Sequence, residues 1–305
     1  MPDINLQEIH DTLVEVAFEA GRMILAANPN NIDKGSKMNS ADIVTETDQA
    51  VERMVSTTLR SKYPSFSFVG EETYVAGETK VTSAPTFIVD PIDGTTNFVH
   101  GYPHGFCISL GFALDRRPAV GVVYNPALDT LWTAIKGQGA YCQRNASLEP
   151  GKGQGPKQKL PLNGGQPLGD LSTALVAVEW GSQREGKNFD IKTRVFRQLT
   201  AAKENGGCMV HSLRSLGSAA LNICAVAAGQ VDTYWEGGCY AWDVTAGWCI
   251  LEEAGGIMVS ANPGDWNPEL DSRLYLAVRG AESGQKEIVE EFWGVVGDDR
   301  MEYKH

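Results

Sequence analysis

The sequence predicts an α+β protein with a smaller α/β half at its C-terminal end, and three observations carry that expectation. Two amphipathic helical segments come first, a run of short β-rich segments follows them, and beyond residue 170 strands and helices alternate. Leu6, Ile9, Leu13, Ala17, Ala20 and Ile24 recur at helical spacing, which predicts a helix ending near Asn28-Pro29. A second helix is expected to begin near Thr45 to Thr47, burying Val51, Met54, Val55 and Leu59 before Pro64 stops it. Segments 65–69, 87–90, 106–113, 119–124 and 130–136 are β-rich and separated by Pro, Gly or Asp turns, as in an antiparallel meander paired with the two helices.

Between residues 145 and 170 the composition shifts to Gly, Pro, Lys and Gln, the mark of a mobile loop or linker. Strands are then expected at 174–178, 208–212, 231–235, 256–260 and 274–279, and helices at 189–203, 218–228, 244–254 and 285–296. The organisation expected is therefore an N-terminal α+β half (1–145), a connecting loop (146–170) and a C-terminal α/β half (171–305).

Composition narrows the function classes. The 305 residues are 42% hydrophobic, with no basic start, no apolar leader and no run approaching the ~20 residues of a spanning helix. A soluble, cytoplasmic protein is expected. With 38 acids against 26 bases the net charge is -12, which argues against nucleic acid or anionic membrane as a partner. Six scattered cysteines lack C-x-x-C spacing and read as reduced core thiols.

Asp90-Pro91-Ile92-Asp93-Gly94-Thr95-Thr96-Asn97 is the most informative stretch. It follows the apolar run Thr86 to Val89, and Pro91 and Gly94 are expected to break regular structure there. Such a turn can aim Asp90, Asp93 and the Ile92 carbonyl into one space, with the amides and hydroxyls of Gly94, Thr95 and Thr96 facing an anion. That is the layout of a magnesium phosphate site. By itself it is equally a Pro/Gly surface turn with two solvated aspartates.

Other segments point the same way, each with a structural alternative. Glu71 and Glu72 sit at a strand end, where G-E-E also makes a solvated turn. Asp48 lies in the first turn of a helix capped by Thr45 or Thr47, where it could serve capping alone. Asp243 reads as an N-cap that could also ligate a cation, and Glu236 ends a strand where it could accept hydrogen bonds from a polyol. Gly217, Ser218 and Ala219 open a helix with side chains small enough to admit either a ligand or a close helix neighbour.

Two like charges 4 Å apart repel by ~4 kcal/mol at an effective dielectric of 20, so Glu71, Asp90, Asp93 and Asp243 share a cleft only with cations present. An all-oxygen donor set without His or Cys favours Mg²⁺ over zinc. The five histidines show no metal-binding spacing.

Together these residues resemble the inositol monophosphatase family. Thr86 to Asn97 is similar to its D-P-I/L-D-G-T-T-N signature, and Trp242 to Gly256 to its W-D-x-x-[AG] … E-A-G-G signature. Gly70-Glu71-Glu72 and Asp42 to Asp48 also fit, and the likeness runs from about residue 8 to 280. The resemblance implies a layered αβαβα sugar-phosphatase fold, a homodimer, two or three Mg²⁺ per site and inhibition by Li⁺. Carried over, it implies that Glu71, Asp90 and the Ile92 carbonyl hold one metal, and Asp90, Asp93 and Asp243 a second. Lys37 would assist a further, weakly held metal.

By the same carry-over Thr95 and Asp48 orient the attacking water, with Glu71 in the catalytic set. The Gly94 and Thr95 amides bind the phosphate, assisted by Thr96. Glu236, Asp243 and residues Gly217 to Ala219 meet the sugar or polyol. The expected reaction is hydrolysis of a small phosphate monoester, with myo-inositol monophosphate the leading substrate. The open alternatives are a 3′-phosphoadenosine, sugar bisphosphate, histidinol phosphate or quinate-pathway ligand, or a phosphate-binding protein that does not turn over. Two departures stand out: the long 145–159 region, and Trp248 and Cys249, which are bulkier than the resemblance implies.

Overall fold

The computed structural model describes residues 4–27, 34–36, 43–147 and 153–303. Helix α1 (Leu6–Ala26) starts at Asn5, whose side chain accepts from the Glu8 amide. Strands β1 (Lys34–Ser36) and β2 (Ile43–Thr45) pair antiparallel and lead into α2 (Glu46–Lys62). Strands β3 (Ser67–Gly70) and β4 (Thr86–Asp93) follow, then the short helix α3 (Thr95–Val99). Five more strands, β5 (Cys107–Leu114), β6 (Arg117–Asn125), β7 (Thr130–Ile135), β8 (Ala140–Arg144) and β9 (Lys157–Lys159), complete a seven-stranded sheet in sequential order.

The C-terminal elements are β10 (Leu175–Val178), α4 (Gly186–Thr200), β11 (Ser212–Arg214), α5 (Ala219–Ala227), β12 (Thr233–Gly237), α6 (Ala241–Glu253), β13 (Ile257–Val259), β14 (Leu274–Val278) and α7 (Gln285–Val296). Their sheet has the order β11-β10-β12-β14-β13.

Side-chain alternation assigns five layers. On β4, Phe87 and Val89 join Leu13, Val51 and Leu59 of α1 and α2, while Ile88 joins the α5 and α6 residues on the other face. On β12 and β14, Tyr234, Tyr275 and Ala277 pack toward α5 and α6, whereas Trp235, Leu276 and Val278 meet Val195 of α4 and Phe292 of α7. Helices α5 and α6 are thus largely apolar because both sheets cover them. The close approach of α6 to the large sheet requires a glycine, since a Cβ at Gly121 would lie 2.2 Å from the Ala246 carbonyl oxygen. The αβαβα layering expected from the resemblance is present.

Several local expectations differ. Strand β3 pairs parallel to β4, so the meander is antiparallel only from β4 onward. Regular structure does not end at Asp90: β4 continues to Asp93 through an irregularity in its pairing with β5, and α3 starts after Gly94. The 145–170 region contributes β9 at the edge of the large sheet, next to the unanticipated β8, with Gln143 Nε2 donating to the Gly155 carbonyl at 2.8 Å. Cys208, Met209 and Val210 are not strand; their amides bond carbonyls at the end of α4, and β11 begins at Ser212. The second sheet is mixed, with β13 and β14 antiparallel to their neighbours. All six cysteines are free thiols and only Cys208 is not buried.

Candidate active site

The bulge in β4 builds the site. In a regular strand residues three apart face opposite sides, but the break between Asp90 and Asp93 turns both carboxylates toward α5 and α6. Pro91 has no N–H to give the ladder and suits a bulge. The Ile92 amide donates back to Asp90 Oδ1 at 3.0 Å, and the Thr95 hydroxyl lies 3.0 Å from the Ile92 carbonyl. Gly94 has φ +90°, and a Cβ there would stand 2.2 Å from the Gly105 carbonyl oxygen. Gly94→Ala is therefore expected to cost about 3 kcal/mol of unfolding free energy, read by chemical denaturation. A wild-type midpoint would refute the need for this backbone.

Asp243 enters from α6. It is the third residue of the helix, not its N-cap: Tyr240 occupies the cap and its amide donates to Asp243 Oδ2 at 2.6 Å. Oxygens of Asp90, Asp93 and Asp243 lie within 4.8 Å of one another. Asp93 Oδ2 also accepts from the Ser218 hydroxyl and the Ala220 amide, both at 2.6 Å, which ties the bulged strand to the start of α5.

Burial raises all three acids above the ordinary carboxylate range. For Asp90, Glu71, Asp93 and Asp243 add to that effect. Asp93 is pushed up to about 7 by burial against the opposing Ser218 and Ala220 bonds, with Glu71 and Glu236 adding to the rise. Asp243 is raised by burial, then by Asp93 and Glu71. Glu71 follows β3, its amide 3.2 Å from the Val89 carbonyl, and its charge acts on the whole group. A buried all-oxygen acid cluster of this kind fits a hard divalent cation and offers nothing to a soft one.

A second pair adjoins the cluster. The Thr95 hydroxyl lies 3.1 Å from Asp48 Oδ1, and Asp48 Oδ2 accepts from the Thr45 amide at 2.9 Å and from the Thr45 hydroxyl. Asp48 thus completes a capping box with Thr45 and also faces Thr95, so the two readings of it coexist. Burial pushes Asp48 up to about 6, opposed by its Thr45 bond and assisted by Glu71 and Glu72. A carboxylate at that value accepts protons well near neutrality.

The remaining expected residues are placed unevenly. Ser218 uses its hydroxyl on Asp93, and the Gly217 amide donates to Glu179 Oε1 at 2.8 Å, so neither group faces open space. Ala219 is buried at the first turn of α5. Glu236 is buried, with Oε2 accepting from Tyr234. Thr96 is exposed, and Lys37 and Asp42 lie outside the described residues.

Glu179, one residue past β10, escaped the sequence reading. It binds the Gly217 amide and Asn222 Nδ2, each at 2.8 Å, and an acid just past a strand end was the available signal. Asn97 is part of the signature but has no role in the sequence reading; its Nδ2 donates to the Gly105 carbonyl at 2.6 Å and the Leu216 carbonyl at 2.7 Å, joining the α3 turn to the approach of α5.

Five layers enclose a carboxylate cluster able to hold metal beside a Thr–Asp pair, an arrangement suited to metal-assisted hydrolysis. Comparison with known proteins agrees. A profile of the inositol monophosphatase family matches residues 5–296. The chain is 48% identical to inositol monophosphatase 2 of Saccharomyces cerevisiae, covering 98% of each. It is 36% identical to quinic acid degradation cluster protein x of Neurospora crassa, over 94% of this chain and 93% of the other. The crystal structure of extragenic suppressor protein suhB from Bartonella henselae superposes with a TM-score of 0.75 at 26% identity, over 95% and 99% of the two chains. The chain belongs to the inositol monophosphatase family and is a phosphoric monoester hydrolase. Among the described residues no helix is long and apolar enough to cross a membrane.

Proposed function

We propose that the protein hydrolyses myo-inositol monophosphate to inositol and phosphate with Mg²⁺, by direct attack of water and without a covalent intermediate. The observation that carries this is the convergence of Asp90, Asp93 and Asp243 within 4.8 Å, beside Thr95 and Asp48. Glu71, Asp90 and the Ile92 carbonyl would hold one Mg²⁺, and Asp90, Asp93 and Asp243 another, with Lys37 near a third. When bound, the ions supply a lowered water pKa, screening of phosphoryl charge and stabilisation of the leaving alkoxide.

The chain's own groups position and move protons. Thr95 would accept a hydrogen bond from the attacking water while donating to Asp48 Oδ1, and Asp48 would take up the proton. The Gly94 and Thr95 amides, with Thr96 at the rim, would face the phosphate at the start of α3. With the Gly217 amide on Glu179 and the Ser218 hydroxyl on Asp93, contact with the polyol falls to the Ala219 backbone, Glu236 and Asp243, while Gly217 and Ser218 shape the wall.

We further read the chain as an N-terminal half (1–145), a connector (146–170) and a C-terminal half (171–305) that completes the site, acting as a cytoplasmic homodimer. The test is phosphate release from inositol monophosphates, sugar phosphates, nucleotide bisphosphates and a quinate-pathway ester, each with Mg²⁺, with EDTA and with added Li⁺. Fastest release from inositol monophosphate, lost with EDTA and inhibited by Li⁺, is expected. A preference for the quinate-pathway ester would move the substrate, and no release from any ester would overturn the mechanism. A monomer by light scattering would remove the dimer.

A further inference from the structure

Lys192 is an anomaly of α4. It lies on the buried side of that helix with Ile191, Val195 and Leu199, at 4% exposure. A buried ammonium is costly unless its donors are used and its charge is met. Two of its three N–H groups go to backbone carbonyls, of Gly237 at 2.7 Å and of Trp180 at 3.1 Å. Those carbonyls belong to the residues directly after Glu236 and Glu179. A single side chain thus links the chain just beyond both carboxylates.

Opposite charges also lie near that link. A Cβ at Gly181 would lie 3.0 Å from Lys192 Nζ and 3.7 Å from Glu236 Oε1, so ammonium and carboxylate flank one small space. Burial lowers the ammonium's pKa, and Glu236, foremost among the neighbouring acids, holds it up. Glu179 is pushed up to about 7 by burial and then by the charge of Glu236. Tyr303 closes the far side: its ring centroid is 6.0 Å from Nζ, and Cβ atoms at Gly237 and Gly238 would meet that ring at 2.8 and 3.2 Å.

We propose that Lys192 is a positioning residue for the leaving-group end of the cleft, holding Glu179 and Glu236 at a fixed separation and offsetting their charge so that Glu236 can receive polyol hydroxyls. It touches no reacting atom. Its influence passes through Gly237 to Glu236, and through Trp180 and Glu179 to the Gly217 amide. The inference rests on the polyol phosphate reading of the site. It adds a determinant of leaving-group affinity that lies outside the metal and phosphate groups.

The test compares two esters in the full-length protein: myo-inositol 1-phosphate, and phenyl phosphate, whose leaving group carries no hydroxyls. Lys192→Met is expected to raise KM for the inositol ester by about tenfold, the low end of what is lost when a group orienting a binding residue is removed. Its kcat, and all phenyl phosphate kinetics, should stay as in wild type. Lys192→Gln, whose amide keeps two N–H donors without the charge, should give a smaller rise in KM, and it serves alone if the methionine variant does not fold. An unchanged KM for the inositol ester, or equal losses on both esters, would overturn the proposal. Failure of the wild-type protein to hydrolyse the inositol ester would instead overturn the polyol reading beneath it.

Discussion

Replacing Asp93 by asparagine is expected to lower Mg²⁺-dependent phosphate release about a thousandfold or more while raising the protein's stability in EDTA. The first effect follows from charge. Asparagine keeps the shape and one acceptor oxygen for Ser218 and Ala220, but it removes one negative charge from a centre that must hold divalent cations. Metal-ion stabilisation of a phosphoryl transition state is worth several kcal/mol, and each 1.36 kcal/mol is tenfold in rate.

The second effect has the opposite sign because the protein's own acids repel. Oxygens of Asp90, Asp93 and Asp243 within 4.8 Å repel by a few kcal/mol per pair at an effective dielectric of 20, roughly. Asparagine at position 93 relieves two such pairs. Calorimetric titration with Mg²⁺, phosphate release and thermal unfolding in EDTA, taken together, distinguish this from simple misfolding, which would lower all three. Wild-type turnover in a folded Asp93→Asn protein would remove Asp93 from the mechanism.

Asp90, Asp93 and Asp243 were recognisable as a set because their surroundings are marked locally, by an apolar run with Pro91 and Gly94 around the first two and by a helix start at the third. Helix α7 was legible to the residue, since Gly284 precedes it and Gly297 follows it at the ends of an unbroken periodic stretch. What sequence could not show was how remote segments share hydrogen bonds. The β4 bulge depends on pairing with Cys107, β9 on pairing with β8, and the use of Ser218 on a carboxylate 125 positions earlier. Lys192 was invisible for the same reason. Nothing local distinguishes a lysine that turns inward to the carbonyls of Trp180 and Gly237.

Thermal unfolding in EDTA is expected to fall by several degrees between pH 5 and pH 8, and the stabilisation added by saturating Mg²⁺ to grow over the same range. Asp93 titrates near 3.8 when unfolded and is pushed up to about 7 in the folded protein; Asp48 is pushed up to about 6. Between the unfolded and folded values the native state binds more protons than the unfolded chain, so unfolding free energy decreases as pH rises. The favourable contribution is complete below the unfolded value and is lost as pH passes the folded one. From pH 5 to 7 Asp93 alone accounts for about 2 kcal/mol, at 1.36 kcal/mol per pH unit with the slope halved by pH 7. Mg²⁺ requires these carboxylates ionised, so its linkage runs the other way and compensates most where the protein alone is weakest. Asp93→Asn should flatten the EDTA profile by its own share, which separates the cluster from the general self-repulsion of a chain carrying a net charge of -12. An EDTA profile that rises from pH 5 to 8, or that Asp93→Asn leaves unchanged, would show that the acid cluster does not carry the strain its burial implies.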